Sequence, residues 1–260
     1  MRRTVEATLQ TMGLAALVTA ADGTQGRTAK ETERAIISFD TSDLSAAEAD
    51  SFALLADRGI ADIESVVGAS LPTWARRSGQ IRYVIDGRIG MSRTHGRTVL
   101  LPLERVRSHS APYLHETVHA LVPSRGRSTW LSEGLASYLE SWVAENRGGY
   151  DSHVFTRAGD RGIHAAARRY LGNDLGRAVL PWVGEAGEPP RLEEDRAGVA
   201  RPFYVLSHSL TKFVVDKAGV DALVRVLVSG EDFAAATGRS AEQWKNEWLI
   251  AIDAPAGTGA

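Results

Sequence analysis

The chain has 260 residues and no cysteine. A disulfide framework and a thiolate metal site are therefore both excluded, and histidine and carboxylates are left as ligands for a transition metal. Lysine is nearly absent, 4 residues against 26 arginines, a bias that reads first as GC-rich coding. Net charge is small, −2 from 30 basic and 32 acidic residues, so nothing global favours nucleic acid or a membrane surface as partner. No stretch reaches the 18 or more consecutive apolar residues of a membrane span, and no internal repeat is evident. Apolar residues are plentiful, at 43%, enough for one large core or two small ones.

Against that background one stretch carries chemistry, His115-Glu116-Thr117-Val118-His119. On a helix, residues four apart lie about 40° apart around the axis and roughly 6 Å along it, so both imidazoles can face one ion. Glu116 is offset by about 100°, which lets it reach a water at an open metal position without ligating the metal. The pattern has a chance expectation of roughly 0.01 in a chain of this composition; the competing reading is an exposed helix face with two unrelated histidines. A catalytic zinc needs a third protein ligand. Glu133, fourteen residues past His119 in Trp130-Leu131-Ser132-Glu133-Gly134-Leu135-Ala136, supplies a carboxylate where a second helix begins. Two fixed nitrogens, an open position and a nearby carboxylate are the parts a zinc hydrolase needs.

HETVH followed by WLSEGLASYLE resembles the gluzincin metallopeptidases, and most nearly the small bacterial gluzincin-like domains called the peptidase MA family. The likeness covers residues 81–252. It takes in a Tyr-bearing helix over 204–215 and a closing pattern, Ala236-Thr237-Gly238-Arg239-Ser240 followed by Trp244 and Trp248. The resemblance implies Zn2+ held by His115, His119 and Glu133, with Glu116 as general base. It implies that Glu140, two turns beyond Glu133, accepts a hydrogen bond from a ligating imidazole; an ordinary surface glutamate is the alternative. It implies that the phenol of Tyr204 steadies an oxyanion, with His208 one turn on able to serve instead or to touch substrate; packing is the alternative for both. The link between the motifs is shorter than in the large aminopeptidases of the clan, so their aminopeptidase specificity does not carry over.

The rest of the chain predicts an α+β fold. Arg2 and Arg3 precede the apolar run Met12 to Val18, and Val18-Thr19-Ala20 resembles a cleavage site, although Glu6 and Gln10 interrupt the start. That is a weak secretory signal, implying export to the periplasm or beyond; a leader on a cytoplasmic protein is the alternative. Residues 1–30 form this leader and a linker, 31–253 the gluzincin-like domain, and 254–260 a tail. Strands are expected over 34–40, 81–85, 91–95 and 98–103. Residues 44–68 show helical periodicity, capped at Ser45 and broken at Gly59. The HETVH helix should start near Ser108 or Ser110 with Pro112 in its first turn, and stop by Val122 because Pro123 follows. Thr129 can cap a helix over 130–145, 181–202 reads as a long loop, and helices follow over 203–218, 220–229 and 232–252. The sequence thus predicts a small sheet lobe ending in the metal helix (31–122) and a mainly helical lobe (123–253).

The expected function is a zinc-dependent metallopeptidase acting on peptide or protein substrates, with a sheet edge at 98–103 able to hold an extended peptide. The alternative is a catalytically silent zinc-binding domain acting as a binding module. Residues 76–127 hold ten Arg against three acidic residues, an excess that can steer acidic peptides or form a solvated face. No aromatic platform or nucleic-acid motif accompanies it, so no nucleic-acid partner is expected. His95, His109, His153 and His164 have no partner at ligand spacing and read as surface residues.

Overall fold

The computed structural model describes residues 27–73, 79–124, 128–150, 159–187 and 196–253. The expected secretory leader and the tail fall outside those residues, apart from the last part of the expected linker. The architecture is mixed α and β: one five-stranded sheet and a mostly helical remainder. The strands are β1 Arg27–Glu31, β2 Ala35–Asp40, β3 Ile81–Asp86, β4 Arg93–His95 and β5 Thr98–Pro102, in the order β1-β2-β3-β5-β4. β2, β3 and β5 run parallel, while β1 and β4 pair antiparallel at the two edges.

Alternation explains how the sheet is buried on both faces. Tyr83 and Ile85 on β3, with Val99 and Leu101 on β5, join the main core. Val84 and Leu100 point the other way and form a small separate cluster with Ile89. Two expectations change here. β5 is not an edge, because the hairpin through Gly96 (φ 58) folds β4 outside it. Residues 27–31, expected within or beside a linker, form β1, whose sequence RTAKE has no apolar alternation. This strand is held by its pairing to β2 and by Arg27, which donates to Asp86 Oδ2 at 2.6 Å.

Helix α1 (Ala46–Val67) starts in a capping box. The Ser45 hydroxyl accepts from the Glu48 amide, and the Glu48 carboxylate accepts from the Ser45 amide, which satisfies two end donors at once. The expected break at Gly59 does not occur. α1 runs through it, and a β-carbon there would lie 2.6 Å from Leu114 Cδ2. The absent β-carbon leaves room for the Leu114 side chain of the HETVH helix. Phe52 of α1 packs edge-on against both Tyr83 and Tyr113, with ring centroids 5.7 and 5.4 Å apart.

A short helix α2 (Leu103–Arg107) takes up the residues after β5 and ends at Ser108, so the metal helix α3 (Tyr113–Leu121) begins later than expected, after Pro112. It stops at Val122, as Pro123 requires. There follow α4 (Thr129–Arg147), α5 (Gly159–Leu171) and α6 (Asp174–Val179), then a 3-10 turn (Leu180–Trp182) and a π-helical turn (Arg196–Ala200). The described residues end with α7 (Arg201–Ala218), α8 (Val220–Ser229), α9 (Phe233–Thr237) and α10 (Ala241–Asp253). Among the described residues no helix is long and apolar enough to cross a membrane. One hydrophobic cluster runs from Ala35 in the sheet to Ile252 in α10, so both parts share a core.

Candidate metal centre

Helix α3 brings His115 and His119 to one side by its own repeat, and α4 brings Glu133 to meet them. His115 Nε2 lies 3.1 Å from Glu133 Oε2 and 3.2 Å from His119 Nε2, and His119 Nε2 lies 3.4 Å from Glu133 Oε2. A tetrahedral ion with bonds of about 2.0–2.1 Å has its ligand atoms about 3.3–3.4 Å apart. The triangle therefore fits a small tetrahedral metal, and His115, His119 and Glu133 form a group able to hold a metal ion. His115 is 2% exposed, and the His119 and Glu133 side chains are 18% and 19% exposed.

Electrostatics agree with this grouping. Burial alone would lower the pKa of His119, but the Glu133 charge and hydrogen bond outweigh it and raise the value to about 9. Burial works against the Glu133 carboxylate, yet His119 and His115 hold it well below the usual carboxylate range. The negative ligand thus stays ionised.

The remaining expected residues are placed as follows. Glu116 is buried, and Thr94 Oγ1 lies 2.8 Å from its Oε2 and 2.9 Å from its backbone carbonyl. Glu140 is fully buried on α4, with Oε2 3.9 Å from His115 Nδ1, on the side away from the ligand nitrogen. The Tyr204 ring stands edge-to-face with His115, centroids 5.9 Å apart. His208, on the same helix, is fully buried, its ring centroid 6.2 Å from Tyr138. Its burial is comparable with that of His115 and Glu140. His164, expected at the surface, is half-buried and its Nδ1 lies 2.8 Å from Ser209 Oγ.

Three supporting groups escaped the sequence reading. Thr94, on edge strand β4, clamps Glu116 from 22 residues away; no local pattern signals it. Ser132 Oγ lies 3.3 Å from His119 Nδ1; its place beside Glu133 was the available hint. Behind α3, Thr117 Oγ1 donates to the Tyr113 carbonyl at 2.6 Å and accepts from the Tyr83 phenol at 2.5 Å. Burial pushes that phenol's pKa up, so it remains a donor. The Arg excess is partly structural: Arg88 pairs with Asp86 and Arg107 with Glu104.

Gly134 sets the distance between α4 and α7. A β-carbon on it would lie 2.6 Å from the Ser207 carbonyl and against the Thr211 hydroxyl. No protein-family model matches the chain, and no curated protein matches it.

Proposed function

We propose that the chain is a zinc-dependent metallopeptidase of the gluzincin type. One observation carries the reading: two imidazole nitrogens and a carboxylate oxygen converge on a single point, with the Glu116 carboxylate fixed nearby. Nitrogen and oxygen donors without thiolate suit a catalytic zinc more than a structural one. When bound, zinc supplies Lewis acidity and makes a water in its open position acidic near pH 7.

The protein's own groups do the rest. Thr94 engages Glu116 Oε2, which leaves Oε1 to take a proton from the attacking water. The same oxygen then passes the proton to the departing amine, so water contributes OH to the carbonyl carbon and H to the nitrogen. Tyr204, beside His115, donates its phenolic hydrogen to the carbonyl oxygen as negative charge develops there. An extended peptide lies along β4, whose outer side has no neighbouring strand among the described residues, and main-chain hydrogen bonds hold it there.

The test is a comparison at equal zinc content. Wild-type protein should carry one zinc and cleave members of a mixed-peptide library. Glu116→Gln keeps size and ligands but cannot take a proton, so kcat should fall by about 10² to 10⁴-fold with zinc retained. Equal cleavage by the two proteins would overturn the mechanism. Full zinc without cleavage of any peptide by wild type would identify a zinc-holding binding module instead.

A further inference from the structure

Strand β4 is 3 residues long and stands at the end of the sheet order, with Thr94 in contact with Glu116. One hydrogen bond assigns its main-chain groups to their sides. The Arg82 amide donates to the Arg97 carbonyl at 2.9 Å, so the main chain of Arg97 faces β3. Main-chain groups of successive residues in a strand face opposite neighbours. Thr98 and Leu100 therefore face β4, and Val99 faces β3. The register pairs His95 with Thr98, Thr94 with Val99 and Arg93 with Leu100. His95 and Arg93 thus spend their amides and carbonyls on β5, and Thr94 does not. The N–H and C=O of Thr94 point to the outer edge, where no further strand lies among the described residues.

Side chains of β4 sort by the same alternation. The Thr94 hydroxyl lies 2.8 Å from Glu116 Oε2, which fixes its face as the one toward the metal helix. Arg93 and His95 lie on the opposite face, and both are exposed. Across from them on that face are Leu100 and Thr98 of β5, which carry no charge, and then Val84 and Arg82 of β3. Asp86, farther along β3, is engaged by Arg27 at 2.6 Å and by Arg88 at 2.7 Å. Arg93 makes no ion pair among the described residues.

A single peptide residue satisfies both open groups of Thr94 only in antiparallel pairing, where directly opposed residues exchange both bonds. Its side chain then shares the face of Thr94, toward Glu116. The next residue of the peptide stands opposite Arg93 in a pair without hydrogen bonds. Opposed Cα atoms are about 4.5 Å apart in such pairs, and the side chains are at their closest. We propose that Thr94 docks one residue of an extended peptide through its main chain, and that Arg93 selects an acidic side chain on the residue that follows. That the peptide is a substrate rests on the peptidase reading above.

Binding by Glu116→Gln protein, loaded with zinc, tests this register without turnover. A labelled peptide selected from a random library on that protein is remade with each residue N-methylated in turn, then with Glu or Gln at each position. Fluorescence polarisation follows binding. N-methylation of one internal residue should weaken binding about 5- to 10-fold, the worth of a backbone hydrogen bond. Its two neighbours, whose amides face away from β4, should tolerate the change. At the residue immediately after the sensitive one, Glu should bind about 2- to 5-fold more tightly than Gln, as a cross-strand ion pair allows. That ratio should approach one in about 1 M salt. Arg93→Gln should abolish the preference, and Arg93→Glu should convert it to one for Lys at the same position. Absence of any bound peptide, absence of a single N-methyl-sensitive residue, or a Glu preference at any other offset would overturn the proposal. So would a preference that survives Arg93→Gln. Failure of the underlying reading looks different: wild type cleaves none of the bound peptides, yet the register and its dependence on Arg93 persist. Cleavage without that register removes the docking alone.

Discussion

Helices α3 and α4 both supply residues to the His115–His119–Glu133 group, but they are built in opposite ways. α3 has 9 residues and no side-chain cap at its start, too short to persist in isolation. Nearly all of it is buried, and it is held from behind by Tyr83 and Phe52. Its two ligands are nevertheless related by the helix repeat itself, so any force that keeps α3 helical also keeps the imidazoles paired. α4 has 19 residues and contributes one ligand. The reach of Glu133 toward the histidines is set by how closely α4 lies against α7, through Gly134. Local geometry secures the pair, and tertiary packing secures the third ligand. Damage at the α4–α7 contact should therefore remove metal while α3 stays intact.

Gly134→Ala tests that claim most severely. The added methyl meets the Ser207 backbone, which cannot rotate away, so α4 must shift. Overpacking of this kind costs about 1–3 kcal/mol. Thermal unfolding should register that loss, and metal analysis should show that most of the zinc has gone. A variant with unchanged Tm and full zinc would break the comparison. Glu140→Ala sharpens it from within α4. If Glu140 orients His115 through Nδ1, zinc affinity measured by chelator competition should drop by about 10- to 100-fold. No change would assign Glu140 to packing.

A smaller effect is expected at Thr94, which touches Glu116 and no ligand. Thr94→Val removes the hydroxyl that holds the carboxylate, and kcat should fall about tenfold with KM little altered. Thr94→Ser should restore the rate; a shift in KM alone would mean that the hydroxyl contacts substrate instead. The last prediction concerns pH. Protonated His119, with its value raised to about 9, must lose its proton to bind metal, so zinc affinity should fall about tenfold per pH unit below that value. After chelation the signs can be separated. The raised His119 value, against an ordinary 6.5, gives stability that is complete below 6.5 and lost as pH rises through about 9. The lowered Glu133 value, against an ordinary 4.5, gives stability present above 4.5 and lost as pH falls through its folded value. The chelated protein should thus have its highest Tm between those ordinary values. A Tm that rises steadily from pH 6 to 9 would refute the pairing.

What could be read in the sequence follows the same division. His115 and His119 are four residues apart, and a helix makes that spacing a distance, so the pair was legible. Glu133 was legible because it opens a second helix close in sequence. Thr94 was not, because its contact depends on β4 folding outside β5, a choice made by the sheet as a whole. The same fact moved the free edge from 98–103 to Arg93–His95. β1 carries no apolar period to announce it; a strand of this kind is defined by the neighbour it pairs with. Ser108 and Ser110 look like caps of the metal helix, but α2 ends at Ser108 and its hydroxyl serves the Glu104 carbonyl.

Gly59 carries a consequence for anyone trying to make this protein more heat-resistant. A glycine in the interior of a 22-residue helix invites replacement by alanine, which usually gains about 0.5–1 kcal/mol. Here the substituent would press on Leu114, which is fully buried and adjoins His115 in the chain. Any gain in helix propensity is therefore set against a shift of the Leu114 side chain, one residue from His115. A Gly59→Ala variant should be judged by metal content as well as by melting temperature.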